Sequence, residues 1–348
     1  MLEFYAVKVF TITTLSFLVA LFWMPFLLRM LKKYKISKRI RDEESAPIFF
    51  KLHKKKQGTP TMGGILIWGT VLFLSLLFFY LNKIFSGVEI FKNLNFLTQK
   101  QTFLPLGALV ASAIVGIFDD LFNVKKIGPN GGGLRMRHRL FIYTFIAIIG
   151  AWWFYYKLGW STLHVPFLGS FDIGIWYIPI FIFVIVATSH SVNLTDGLDG
   201  LAGGILLSSF ASYGAIAFVQ GRFELATFCG AIIGSLLAFL WFNISPAKFF
   251  MGDTGAMSLG ITLGIVAMLT NYALLLPIIG LIFVIETCSV LLQWGYKKIM
   301  KKKLFISSPI HHHLEAIGWA EATIVMRFWV ISGVSSVIGL ILFFLDKT

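Results

Sequence analysis

Apolar residues run along this chain in long unbroken blocks, without the alternation of a half-buried strand or the three-to-four spacing of a surface helix. Ten blocks of about 17–25 residues, the length a helix needs to cross a hydrocarbon layer, lie near 7–31, 61–82, 103–119, 140–158, 174–190, 200–219, 224–241, 256–271, 273–295 and 323–345. Polar residues collect between them. Only "TNYA" separates the eighth block from the ninth. The pattern predicts an all-α polytopic integral membrane protein of about ten transmembrane helices, forming a single domain over residues 1–348. An even number of spans puts both termini on one side.

Composition agrees and narrows the class. Of the 348 residues 57% are hydrophobic and 13% charged, and mean hydropathy is +0.82. A soluble domain carries about a quarter charged residues. There is no Pro/Ser-rich linker and no low-complexity tract. The first block is too long for a signal-peptide core, which predicts a retained span. Cys229 and Cys288 both sit in apolar runs and make neither a disulfide framework nor a metal knuckle.

The net charge of +14 is explained by membrane topology, so no nucleic-acid partner is expected. The connecting segments 32–60, 120–139, 191–199, 242–255 and 296–322 together carry 21 Lys and Arg, and the opposite side with both tails carries seven. Basic residues stay in the cytoplasm, so those five segments are predicted to be cytoplasmic and both termini external. The topology rule says nothing about acids or histidines. Yet Asp42, Glu43, Glu44, Asp119, Asp120, Asp196, Asp199, Asp253, Glu286, Glu315 and Glu321 all fall at or near that same face, as do all histidines except His164. Such a concentration of ionisable groups on one side predicts a site.

Four stretches give that site its character. "VGIFDD" ends the third block in Asp119 and Asp120. Adjacent carboxylates at a membrane boundary are tolerated when a cation sits beside them or when one stays protonated; helix-end acids facing water are the plainer alternative. "NLTDGLDGLAGG" places Asp196 and Asp199 three residues apart at a glycine-rich helix start, where free N–H groups favour phosphate. A turn capped by aspartates is its simpler reading. "WFNISPAKFFMGDTG" sets Asp253 between glycines just before an apolar helix; Asn243 could meet a base edge, and Phe249 and Phe250 could stack on a ring or merely sit at headgroup depth. "SSPIHHHLE" holds three successive histidines, about 100° apart on a helix, so they cannot all bind one metal; they can donate hydrogen bonds to pyrophosphate oxygens or tune charge near neutral pH. Before the second block, "HKKKQGTPTMGG" singles out Lys56 beside a proline-pinned turn. Carboxylates without a Cys/His cage favour Mg2+. Together these features describe phosphoryl transfer at a membrane surface. No Walker-type loop is present, so ATP hydrolysis is not indicated.

"GTPTMGG", "FDD", "NLTDGLDGLA", "FMGDTG" and "PIHHHLE", in that order, resemble the phospho-N-acetylmuramoyl-pentapeptide transferases over essentially the whole chain. These belong to the polyprenyl-phosphate N-acetylhexosamine-1-phosphate transferases. The resemblance implies a ten-span enzyme of the bacterial plasma membrane with its active site facing the cytoplasm. Its partners would be UDP-MurNAc-pentapeptide, undecaprenyl phosphate and the bilayer, with a second copy of the chain as a further candidate. It would release UMP and form undecaprenyl-pyrophosphoryl-MurNAc-pentapeptide with the help of Mg2+.

By motif match Asp253 would be the metal ligand and a catalytic residue. Asp119 would position or deprotonate the lipid phosphate, with Asp120 beside it and His312 counted with them. Substrate would be held by Lys56, Thr61, Arg139, Asn193, Asp196, Asp199, Asn243, Phe250, Gln293, His311 and His313, with Asn243 and Phe250 at the uracil. Arg139 stands where the family usually has lysine, which changes a point charge into a planar fork. The family's ninth helix is broken, and "QWGYKKIMKKK" is compatible with a break. A UDP-GlcNAc transferase of the same superfamily is the nearest alternative, and the uninterrupted His311–His313 run argues against it. An ion-coupled transporter would place its acids at mid-span, whereas here they end the spans.

Overall fold

The structure is a computed structural model that describes residues 2–37, 53–98, 101–128 and 133–347. Asp42, Glu43 and Glu44 lie outside the described residues. Each of the ten apolar blocks is a helix: α1 Leu2–Lys33, α2 Gly64–Ile84, α3 Phe103–Val124, α4 Met136–Trp152, α5 Tyr177–Thr195, α6 Leu201–Val219, α7 Phe223–Asn243, α8 Asp253–Leu269, α9 Leu281–Met300 and α10 Glu321–Lys347. Among the described residues, eight helices are long and apolar enough to span a bilayer alone, and a ninth counts if the bent pair Ala273–Ile279 and Leu281–Met300 is one span.

The remaining helix, α8, has only 17 residues, and every one from Thr254 to Leu269 is buried. A helix that is apolar all round belongs inside protein, and α8 packs against α2, α3, α5 and α6. It is the axle of the bundle. Small residues bring its neighbours close. A side chain on Gly116 of α3 would run into the Thr254 backbone, and one on Gly64 of α2 into that of Gly255. Such small-on-small contacts let helices approach where no water drives them together.

The ninth span bends by 82°. The bend falls at Gly280, after the short helix Leu276–Ile279 with its Pro277. Gly295, in the stretch that the sequence associates with a break, lies inside continuous helix. Proline and glycine around 277–280 leave the backbone free to turn there.

The two ends of the bundle differ. At one, Tyr5 of α1 stacks on Phe223 at the start of α7, and Lys347 of α10 donates to the Val219 carbonyl, so both termini meet there. The same end carries a hairpin of β1 Thr162–Val165 and β2 Gly169–Asp172. His164 joins it to α10 by pairing with Asp346 at 2.6 Å, and Tyr272 donates to that carboxylate at 2.7 Å. The one histidine outside the acidic face thus has a structural job. The other end gathers the segments 53–63, 196–200, 244–252 and 301–320.

Candidate active site

Asp119, on the last turns of α3, is fully enclosed, and its carboxylate accepts the Leu134 N–H at 2.6 Å. Arg139, in the first turn of α4, places Nε 2.6 Å from Asp119 Oδ2. The same guanidinium donates from Nη2 to Asp253 at 2.9 Å and from Nη1 to Asn193 of α5 at 3.1 Å. Asn193 in turn donates to the other oxygen of Asp253 at 2.6 Å. Four helices (α3, α4, α5 and α8) therefore meet at one planar cation. A lysine ammonium, without the fork, would lack the fixed geometry that engages all three residues from one side chain.

The oxygens of Asp119, Asn193 and Asp253 form a hard donor set with no sulfur or imidazole among them, and this fits magnesium. Asp253 is the more accessible carboxylate: its side chain is 15% exposed and that of Asp119 0%.

Asp120 faces the other way from Asp119, toward the start of α8. Its two oxygens accept the N–H groups of Asp253 and Thr254, both at 3.1 Å. They thereby satisfy orphan donors at the start of α8. This carboxylate holds the start of α8, and with it Asp253, in place. The turn before α8 depends on Gly252, whose φ of 75° and ψ of 172° are essentially confined to glycine. Around it the "GTPTMGG" and "FFMG" stretches pair their backbones: Phe250 N donates to Pro60 O, Gly63 N to Phe250 O and Gly64 N to Met251 O, each at 2.8 Å. Thr61 is buried beside this pairing, and Phe250 keeps a half-exposed ring while Phe249 turns inward.

A second cluster stands on the α5–α6 connection. Lys56 reaches Asp199 at 2.7 Å and Glu321, at the start of α10, at 2.5 Å. Glu321 also accepts the Asp199 N–H at 2.8 Å, and Asp199 accepts that of Ala247 at 3.1 Å. Asp196 follows α5 directly and is half-buried. Asn243 uses its amide on backbone, accepting from Gly200 N at 2.9 Å and donating to Phe249 O at 2.8 Å. It clamps the 196–200 loop to the segment before α8.

Removing Lys56 as Lys56→Met leaves Asp199 buried without its cation. The expected cost is ~3 kcal/mol of stability, read as a lowered unfolding midpoint. The double variant with Glu321→Gln should lose less than the sum of the two single changes; strict additivity would show that Lys56 and Glu321 do not act together.

The three histidines split, as their angular spacing requires. His311 is completely buried. Its Nδ1 lies 2.9 Å from Glu286 of α9, and its ring occupies the space where a side chain on Gly197 would be. It wedges the Asp196–Asp199 loop against α9. His312 Nδ1 lies 2.7 Å from Glu315, which His53 also contacts at 3.2 Å. Burial pushes the His312 imidazole down to about 4. Burial raises the Glu315 carboxyl, but hydrogen bonds from His312 and His53 outweigh that and hold it down at about 2. His313 accepts from the Ile306 N–H at 3.3 Å. Gln293 places its amide on Leu304 and Phe305 backbone, 2.8–3.1 Å away, and so folds the segment after α9.

Four partners were missed as such in the sequence. Glu286, Glu315 and Glu321 stood out only as acids of the right face, and His53 only as the start of a basic run.

An apolar furrow of about 380 Å³ lies between α4 and α5, with Leu140, Pro179, Ile182, Phe183 and Val186 along it and His190 at one end. Leu140 is the residue after Arg139, and His190 is one turn before Asn193, so the furrow opens beside the Arg139 cluster.

Known proteins resemble the chain in the same regions. A model described as glycosyl transferase family 4 matches residues 102–271, and phospho-N-acetylmuramoyl-pentapeptide-transferase signature 1 matches residues 56–67. The phospho-N-acetylmuramoyl-pentapeptide-transferase of Geobacillus sp. (strain WCH70) is 38% identical over 328 residues, covering 94% of this chain and 95% of its own. That of Chloroflexus aggregans is 36% identical over 339 residues, with 94% and 86% covered. That of Borrelia hermsii is 37% identical over 348 residues, with 94% and 93% covered. The first match contains every member of the Arg139 cluster, the second contains Lys56 and Thr61, and identity extends along nearly the whole chain: this protein belongs to the phospho-N-acetylmuramoyl-pentapeptide-transferase family.

Proposed function

We propose that the protein transfers phospho-MurNAc-pentapeptide from UDP-MurNAc-pentapeptide to undecaprenyl phosphate at the cytoplasmic face of the bacterial plasma membrane, the first membrane step of peptidoglycan synthesis. An oxygen of the lipid phosphate attacks the β-phosphorus of the nucleotide sugar. The bond from that phosphorus to the bridging oxygen breaks, and UMP leaves. The products are UMP and undecaprenyl-pyrophosphoryl-MurNAc-pentapeptide. The observation that carries this reading is the convergence of Asp119 and Asp253 on one guanidinium beside an apolar furrow. An anionic headgroup on a long apolar tail needs both.

Asp119 orients the lipid phosphate and accepts its proton; its enclosure limits competition from water for that proton. Asp253 and Asp119 would hold Mg2+, which, when bound, supplies neutralisation of the pyrophosphate oxygens. Arg139 and Lys56 offer their cations to the same oxygens, with Thr61, His312 and His313 bordering them. Phe250 stacks on the uracil, and Asn243, Asp196 and Asp199 keep the loop around it in shape. Direct attack needs no covalent relay, because this set of charges can stabilise the transferred phosphoryl group by itself.

The test is UMP release by purified protein supplied with undecaprenyl phosphate and each nucleotide sugar. UMP is expected from the muramoyl-pentapeptide nucleotide, and a chelator should abolish its release. Release from UDP-GlcNAc alone would overturn the assignment of the sugar. A phospho-sugar–enzyme adduct trapped in a single turnover would overturn direct attack.

A further inference from the structure

A second group of metal-ligating side chains lies apart from the Arg139 cluster, and its chemistry is different. His53, just before the short helical turn Lys54–Lys56, meets His312 and Glu315 of the short helix Ile310–Ala316. One ligand atom from each falls within 4.8 Å of the other two. Only one of the three successive histidines, His312, takes part; Glu315 is one helical turn from it and 262 residues from His53.

We propose that His53, His312 and Glu315 bind one divalent cation of the zinc class, joining the segment before α2 to the helix before α10. Three observations support this. First, two imidazoles and one carboxylate are a ligand set of zinc sites with an open fourth position, and magnesium, which prefers oxygen ligands, competes poorly for it. Second, little movement is required. Donors ~2 Å from a tetrahedral ion are themselves about 3.3 Å apart, and the two nitrogens already lie 2.7 Å and 3.2 Å from Glu315 Oε2. Third, the base is rigid. His311 next door is fully buried and paired with Glu286 at 2.9 Å, which fixes the helix that presents His312 and Glu315.

In the metal-free state both imidazoles donate an N–H to one ionised carboxylate. On metal binding each ring moves that proton to its other nitrogen, freeing the lone pair of His312 Nδ1 and His53 Nε2 for the ion. The site does not rest on the transferase reading: His312 borders the pyrophosphate in that reading, but the geometry of the three ligands and the readout below depend neither on Asp253 nor on turnover.

The experiment is a Co2+ titration of purified full-length protein free of any affinity tag, followed by visible spectroscopy. One Co2+ per chain is expected to give the intense bands of four-coordinate cobalt with nitrogen ligands, which Zn2+ displaces and excess Mg2+ leaves in place. His53→Gln and Glu315→Gln should each abolish the bands, and Asp253→Asn should retain them. No bands in the unsubstituted protein, or full bands in both variants, would overturn the site. A measurement without substitutions covers variants that fail to fold: diethyl pyrocarbonate labelling mapped by mass spectrometry. Zn2+ should protect His53 and His312 while the labelling of His138 is unchanged; equal labelling of His53 and His312 with and without Zn2+ would likewise overturn it.

Discussion

Replacing Asp253 by asparagine should lower the rate of UMP release by about 10²–10⁴-fold, the span a positioned acid–base or charge-stabilising group contributes. The fold should survive. Asparagine keeps an oxygen that can accept from Asn193 Nδ2, and the backbone N–H that Asp120 holds is untouched. What disappears is one negative charge from a cluster in which Arg139 now balances two. A cation would then meet Asp119 alone. Asp119→Asn should be as damaging, because it keeps an acceptor for Leu134 N–H but cannot take a proton from the lipid phosphate. Initial rates of UMP release, alongside the elution profile and unfolding midpoint of each variant, check both. Near-normal turnover in either, from a folded protein, would remove that residue from the reacting group.

Where the spans lie was readable because lipid demands a block of apolar residues whatever the tertiary fold, and all ten blocks are helices. Less readable was what surrounds each one. The eighth block looks like the others in sequence, yet it is a short axle enclosed by protein. Hydrophobicity cannot tell lipid from protein neighbours. The break in the ninth span is marked in the sequence by "LPIIGL", where Pro277 and Gly280 stand, and not by the more conspicuous basic run around Gly295, which stays helical.

For the site, the clustering of acids at span ends was legible because the membrane allows few other reasons for them. The duties within it were not. Asp119 and Asp120 are adjacent and chemically identical, yet one meets a guanidinium and the other a helix N-terminus. Asn243, Gln293 and His311 could all bind substrate by their chemistry, and each is also engaged by a group of the chain 6 to 43 positions distant. A linear pattern shows which groups are available, and only the assembled helices show which lone pair is already taken. The pairing of 60–64 with 250–251 is invisible for the same reason, since it uses backbone alone.

That backbone pairing leads to the other large expected effect, at a residue with no side chain. Gly252→Ala should lower turnover by about 10²-fold, the penalty for a reacting group displaced by ~1 Å, and should destabilise the fold by about 1–3 kcal/mol. Two causes add. The φ of 75° with ψ of 172° strains any L-residue. The new methyl would also lie 2.6 Å from Asp120 Oδ2, 2.9 Å from Met62 N and 2.9 Å from Thr61 Oγ1. The backbone neighbour cannot yield easily, so Asp120 must move, and with it the first N–H groups of α8 and the Asp253 carboxylate. Gly221→Ala separates the causes. Gly221 has the same φ of 75°, lies between α6 and α7 at the far end, and has nothing within 4 Å of a new methyl. It should show the backbone strain as a lowered unfolding midpoint and keep wild-type turnover. If Gly252→Ala behaved like Gly221→Ala, losing midpoint but no rate, then the hold of Asp120 on α8 would not be what places Asp253 for the reaction.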